Sequence, residues 1–320
     1  MRRFPGWRSL SMALLAIFVV PASWALAVDQ KLLSLVPPGA EVVAGMDTPP
    51  PKDQPGSFVL ITHSNTVDLQ DFFALTGVDS RRIVHHAIFV AMHGGTTQLD
   101  EHSMMAHGQF DQARIYKSAT DGGAKLFQYR GIPVVEIEPF AREQAEFHDD
   151  RWLAIVDSDL LLFGTITSVR QELDRDLDRS VADPVLMRKV ARLRHDDETW
   201  CTLPSTSRYP EIQRSISGLD PKLAELVGTA DDFQFGLRYR KQVELEYEVI
   251  TASATGTRGI SDSLRQSLTG SGKGASLLTS PVRNEEKSTA RGVVKIPLNR
   301  FGQWLREASA HGQSERTASQ

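Results

Sequence analysis

Residues 232–250 alternate apolar and polar side chains twice over, and that pattern constrains the fold more than any other stretch. Phe233, Phe235, Leu237 and Tyr239 take every second position, and Val243, Leu245, Tyr247 and Val249 do the same after a short polar gap. Successive side chains of a strand point to opposite faces, so each run presents one apolar face. Matching those faces pairs Tyr239 with Val243 and leaves Arg240, Lys241 and Gln242 as the loop. The same register sets Arg238 opposite Glu244 on a face expected to meet water, where the two form a cross-strand ion pair. A slip of one residue would bury the glutamates, so the pattern specifies the register strongly.

Strands elsewhere also arrive in pairs. Residues 83–92 are largely apolar, as in a strand covered on both faces, and 104–110 reads as their neighbour across a Gly-containing connection. Residues 125–129 and 132–137 flank Arg130-Gly131, a tight hairpin, and 153–156 and 160–163 flank the turn formers Asp157-Ser158-Asp159. Residues 41–46 and 290–296 read as further strands, and 199–203 as a buried run. Two helices carry clear signals. Ile166, Val169, Leu173 and Leu177 recur at helical spacing, and Asp183-Pro184 supplies an N-cap and a first-turn proline for a helix with the stripe Leu186, Val190, Leu193. Further helices are expected at 30–36, 68–75, 260–268 and 298–308, with a mobile Gly/Ser-rich run at 269–276. Hairpins with helices in separate runs imply an α+β fold: antiparallel sheets with amphipathic helices packed on one face. Strand pairs followed by an amphipathic helix occur at both 153–178 and 232–268, which suggests two related halves, 28–182 and 183–310, before a disordered polar tail at 311–320.

The first 27 residues read as a cleavable signal. Arg2, Arg3 and Arg8 precede an uncharged apolar run at 10–20, Pro21 breaks it, and Ala25-Leu26-Ala27 offers the small residues of a cleavage site. The apolar run is shorter than the ~20 residues of a membrane-spanning helix. No cysteine lies near the cleavage point to carry a lipid, and the paired arginines lack the rest of a twin-arginine pattern. The expectation is a soluble protein exported to the periplasm or the extracellular space, with no membrane span after cleavage. A formal net charge of −4, which loss of the signal's three arginines makes more negative, argues against nucleic acid as a partner. Cys201 is the sole cysteine, so no internal disulfide can form. Following Trp200 in a buried run, it is expected to act as a small hydrophobe.

Candidate chemistry is sparse. Five of the nine histidines fall at His85, His86, His93, His102 and His107, with Asp100 and Glu101 on the adjoining loop. A zinc site needs three or four convergent ligands, and no HExxH, HxH or Cys/His spacing is present. The bland expectation is strand-end and loop histidines, with His86 a satisfied core residue. Glu244, Glu246 and Glu248 stack along one side of a strand, as alternation in a half-exposed strand produces without any cation. Gly270-Ser271-Gly272-Lys273-Gly274 fails as a phosphate loop, because Gly274 follows the lysine where Ser or Thr is required and Ser267 replaces the first glycine. No nucleophile signature singles out a serine. No catalytic, cofactor-binding or metal-ligating residue is assigned, and no cofactor is expected.

Several phrases carry a resemblance: LLSLVPPGAEVVAGMD at 32–47, GQFDQARI at 108–115, YRGIPVVEI at 129–137, WLAIVDSDLLLFGT at 152–165 and DDETWCTL at 196–203. Together the chain resembles uncharacterised exported bacterial proteins of the kind found in soil-dwelling acidobacteria. The resemblance implies an exported domain and brings no site residues with it. The expected role is a non-catalytic binding or envelope-associated module whose partner is a protein or small molecule of the envelope. The alternatives are a metal-dependent hydrolase built on the histidines at 85–107 and a carrier of apolar ligands.

Overall fold

The structure, a computed structural model, describes residues 29–47, 84–92, 101–137, 150–193, 197, 199–204, 230–239, 242–251 and 289–297. The signal segment, the helices expected at 68–75, 260–268 and 298–308, the run at 269–276 and the tail lie outside them. Antiparallel sheet dominates and helices are a minor part, which agrees with an α+β class. The described residues fall into two compact units divided between Arg192 and Leu193.

Unit 1 contains α1 (Gln30–Leu35), β1 (Val42–Asp47), β2 (Val84–Met92), β3 (Glu101–Gly108), α2 (Gln112–Asp121), β4 (Lys125–Tyr129), β5 (Ile132–Ile137), β6 (Arg151–Val156), β7 (Leu160–Thr165), α3 (Ile166–Leu177) and α4 (Pro184–Val190). Its strands lie in the order β1-β2-β3-β7-β6-β5-β4, antiparallel throughout. All six residues of β6 and all six of β7 are buried, so both faces are covered at the centre of the core. The predicted turns form as read. Arg130 and Gly131 both have positive φ, +48° and +88°, the mirror-image turn whose twist matches a two-residue hairpin. Asp157 and Ser158 likewise adopt φ +50° and +60° between β6 and β7. Asp183 caps α4 through the Val185 N–H with Pro184 in the first turn, and Leu186 and Val190 are buried as the stripe required, whereas Leu193 falls beyond the end of the helix.

The helix α2 was not foreseen. Its apolar residues are few, and only Ile115, Tyr116 and Ala119 are buried. Asp111 caps it by accepting from the Arg114 N–H, and Gly122-Gly123 ends it. Its role follows from Pro133. Proline has no N–H for a ladder, so an interior strand such as β5 normally excludes it. The β5–β6 pairing stops at Val134 opposite Ala154, one step short of Pro133 and Ile155. There α2 takes over. The Ile155 N–H donates to the Tyr116 hydroxyl (2.8 Å), which donates to the Pro133 carbonyl (2.7 Å), while Gln112 Nε2 donates to the Ile155 carbonyl (3.0 Å). Gln112 thus replaces the donor that Pro133 lacks, and Tyr116 bridges the remaining pair, which keeps the ladder's end satisfied. Burial pushes the Tyr116 phenol above its ordinary range, so it stays protonated for this task.

Gly164 sets the middle of the sheet. A Cβ there would come within 2.6 Å of Ser103 Cα, so only glycine lets β7 approach β3 this closely.

Unit 2 holds β8 (Thr199–Pro204), β9 (Ala230–Tyr239), β10 (Gln242–Thr251) and β11 (Thr289–Pro297), adjacent in chain order and antiparallel. Tyr239 pairs with Val243 and Arg238 with Glu244, the register read from the alternation. Cys201 is buried, and burial pushes its thiol well above the ordinary range, so it stays a neutral, unreactive hydrophobe.

Replacing Tyr116 by Phe leaves the Ile155 N–H and the Pro133 carbonyl without their bridging hydroxyl. We expect a loss of about 1–3 kcal/mol in urea unfolding, against a change within about 0.5 kcal/mol for Val181→Ala on the surface. Equal effects of the two substitutions would overturn the assignment of Tyr116 as a ladder substitute.

Candidate functional site

The histidines divide. The β2–β3 register sets His86 directly opposite His107 beside a β-bulge at His85, whereas His102 lies opposite Ala91. His93 and Asp100 lie outside the described residues, as does the His85 side chain. His107 gains a partner that the sequence reading missed, Asp29 at the N-cap of α1. One Asp29 oxygen accepts from the Leu32 N–H (3.1 Å) and the other is hydrogen-bonded to His107 Nδ1. Burial pushes the Asp29 carboxyl up. The hydrogen bonds from His107 and Leu32 and the charges of His107 and His86 outweigh it and hold the group below its ordinary value. His86 is half-buried beside this pair rather than a core residue.

Asp29 engages Nδ1 and leaves Nε2 as the ring nitrogen directed away from the carboxylate. That is the orientation of a general base, and acyl-transfer chemistry would also need a hydroxyl or thiol within hydrogen-bond reach. His107 Nε2 makes no hydrogen bond in the structure. Among the described residues no group of three or more His, Cys, Asp or Glu side chains is placed to hold a metal ion.

The second cluster lies between β3, the end of β7 and the first turns of α3. Ser103 donates to Glu172 Oε1, and Thr165 donates to Glu101 and lies 2.9 Å from Ser168 Oγ. Thr165 occupies the N-cap of α3 without capping it, because its hydroxyl turns to Glu101. Ser168 and Glu172, four residues apart, share one helix face and are both fully buried. Glu172 Oε2 has no hydrogen-bond partner. Burial raises the Glu172 carboxyl from 4.5 to about 8, against the opposing pull of the Ser103 hydrogen bond. The group is therefore mostly neutral at pH 7. Its position was readable from spacing: Glu172 stands three residues after Val169 and one before Leu173, on the apolar side of the helix.

The third cluster is the glutamate row of β10. Glu244 lies between Arg238 Nη2 (2.6 Å) and Lys295 Nζ (3.0 Å). Arg291 sits 3.8 Å from Glu246 and 3.9 Å from Glu248, and Gln234 donates to Glu248. Basic partners on both neighbouring strands thus occupy the carboxylates, which leaves no reason to invoke a cation. The expectation that this face meets water is corrected. Gln234, Arg238 and Glu246 are buried, and Trp200 and Thr202 of β8 share the face by register. Asp197 is also buried, lying over Gly236, where an added Cβ would collide with its carboxylate, and 3.6 Å from Arg238 Nε. Charges can be buried here because they are paired in rows across three strands.

No helix among the described residues is long and apolar enough to cross a membrane. No protein-family model matches the sequence, and comparison with curated proteins returned no relative. Among solved structures, the chain aligns with one described as crystal form I of TP0453, at a TM-score of 0.48 and 11% identity, covering 88% of this chain and 99% of that one. A likeness of that size carries no argument about function.

Glu172 gives a pH-dependent expectation. Its folded pKa lies above its unfolded value, so its contribution to stability is fully present below about pH 4.5 and is lost as pH rises through about 8. Glu172→Gln keeps the shape and removes the ionisation. Urea unfolding of both forms between pH 5 and 9 should show the Gln variant gaining on the parent, by on the order of a few kcal/mol at the alkaline end. A constant difference across that range would rule out an enclosed, neutral carboxyl.

Proposed function

We propose that this chain is an exported protein that acts as a non-catalytic binding or envelope-associated module, its partner a protein or small molecule of the envelope. The observation that carries this reading is the engagement within the fold of chemically capable side chains among the described residues. Asp29 is held by His107 and the start of α1, Glu172 is enclosed beneath α3, and Glu244, Glu246 and Glu248 are matched by Arg238, Arg291 and Lys295. Groups organised to stabilise a scaffold are poorly arranged to turn over a substrate, which needs an accessible acid, base or nucleophile. The charged n-region, apolar core and Ala-Leu-Ala site of residues 1–27 support export. In the finer form of this reading the amphipathic helices pack on one face of the sheet, which the Asp29–His107 and Glu172–Ser103 bonds from α1 and α3 to β3 support, and residues 28–182 and 183–310 are related halves.

The alternative is the metal-dependent hydrolase built on the histidines at 85–107, of which His86 and His107 lie opposite each other with Asp29 bonded to His107. Both readings are tested on protein recovered from the secreting cell. We expect an N-terminus at Val28, no turnover in a broad hydrolase screen with or without added zinc, and no stoichiometric metal by elemental analysis. Zinc-dependent turnover lost in His107→Ala would replace the binding module with the hydrolase, and an intact N-terminus would remove cleavage from the reading. Co-purified lipid in native mass spectrometry would favour the carrier of apolar ligands.

A further inference from the structure

β4 ends the strand order of unit 1, and the phase of its open edge can be worked out. In a two-residue mirror-image hairpin, the residues flanking the turn form a hydrogen-bonded pair. Tyr129 and Ile132 flank Arg130-Gly131, so Tyr129, Phe127 and Lys125 turn their N–H and C=O groups toward β5. Pro133 agrees with this phase, because its partner Gln128 then asks it for no donor. It follows that Leu126 and Gln128 direct their backbone groups outward. Among the described residues no strand takes them up and neither makes another hydrogen bond. Leu126 is also 51% exposed, one of four large apolar side chains so placed among the described residues.

We propose that this edge pairs with the β4 edge of a second copy of the chain, antiparallel about a two-fold axis through Phe127. That register is the one that engages both open residues of each copy. Leu126 faces Gln128 of the second copy, and each pair exchanges two backbone hydrogen bonds. Phe127 meets Phe127 of the second copy at a non-hydrogen-bonded site, where facing side chains come closest. Each Phe127 already packs edge-on against Trp152, ring centroids 5.1 Å apart, and Tyr129 lies 5.5 Å from the same ring. The two aromatic groups therefore become one continuous cluster across the axis. Charge permits the pairing, since Lys125 comes opposite Tyr129 of the second copy and no like charges meet. The hairpin tip is held ready by α3: Tyr129 and Arg130 both bond Asp174, the latter at 2.7 Å, and Arg130 reaches Asp178 at 3.0 Å. A five-residue edge buries less than the ~1,200 Å² of a standard interface, so the dimer dissociates on dilution. An unrelated extended peptide could take the same edge, but it would not reproduce the Phe127–Phe127 symmetry.

Sedimentation velocity of the purified chain from about 1 μM to about 1 mM tests the pairing, and a reversible monomer–dimer equilibrium is expected. Gln128→Pro removes an outward N–H that β5 does not use, and with it two of the four new hydrogen bonds. It should weaken association about tenfold or more while leaving unfolding nearly unchanged. Should that variant fail to fold, register decides. Phe127→Cys should form an intermolecular disulfide on mild oxidation, because non-hydrogen-bonded partners lie within bridging distance, and Leu126→Cys should not. The buried Cys201 does not compete. A chain that stays monomeric throughout, association untouched by Gln128→Pro, or cross-linking through Leu126→Cys in preference would each overturn the proposal.

Discussion

The close approach of β7 to β3 at Gly164 is the contact on which unit 1 depends. These strands are remote in sequence, and their pairing joins β1-β2-β3 to β7-β6-β5-β4. The approach exists because position 164 has no side chain, and it places Ser103 where α3 can set Glu172 upon it. One missing methyl group thus closes the centre of the sheet and seats a helix. The accompanying burial of a carboxyl is tolerable because the group gives up its charge rather than its surroundings.

Polar groups hold much of this fold together. The Asp29–His107 pair fixes the start of α1 against β3, and the rows of unit 2 alternate acid and base across β9, β10 and β11. A chain with a single buried cysteine has no disulfide to constrain its unfolded state. Its stability must come from packing and from such pairings, and the Glu172 and Asp29 carboxyls tie it to pH in opposite directions: the first loses its contribution as pH rises, the second as pH falls. The proposed binding role fits a scaffold of this kind, with activity resting on surface and edge.

What could be read in the sequence was what local periodicity controls. The β9–β10 register followed from two runs of alternating side chains, the Arg130-Gly131 turn from its need for positive φ, and the start of α4 from Asp183-Pro184. What could not be read depends on residues far apart. Nothing near Ser103 announces Gly164 or Glu172, and nothing near Asp29 announces His107. The helix α2 escaped notice because its value lies in two hydrogen-bonding side chains, Gln112 and Tyr116, rather than in an apolar stripe. The face of β10 was read as wet because glutamates alternate there, whereas pairing with Arg238, Arg291 and Lys295 lets it be closed.

The repair of the β5–β6 ladder also has a direction in time. Gln112 and Tyr116 come first along the chain, Pro133 next and Ile155 last. A polypeptide that emerges N-terminus first from a ribosome holds these side chains before it meets the gap they fill. The helix and the hairpin β4–β5 are neighbours in sequence, joined by the Tyr116–Pro133 bond, and need little loop closure to find one another. The incoming β6 then meets a surface whose vacant position is already occupied by a hydroxyl and an amide. Proline at 133 thus makes the β5–β6 ladder depend on a helix that precedes both strands in the chain.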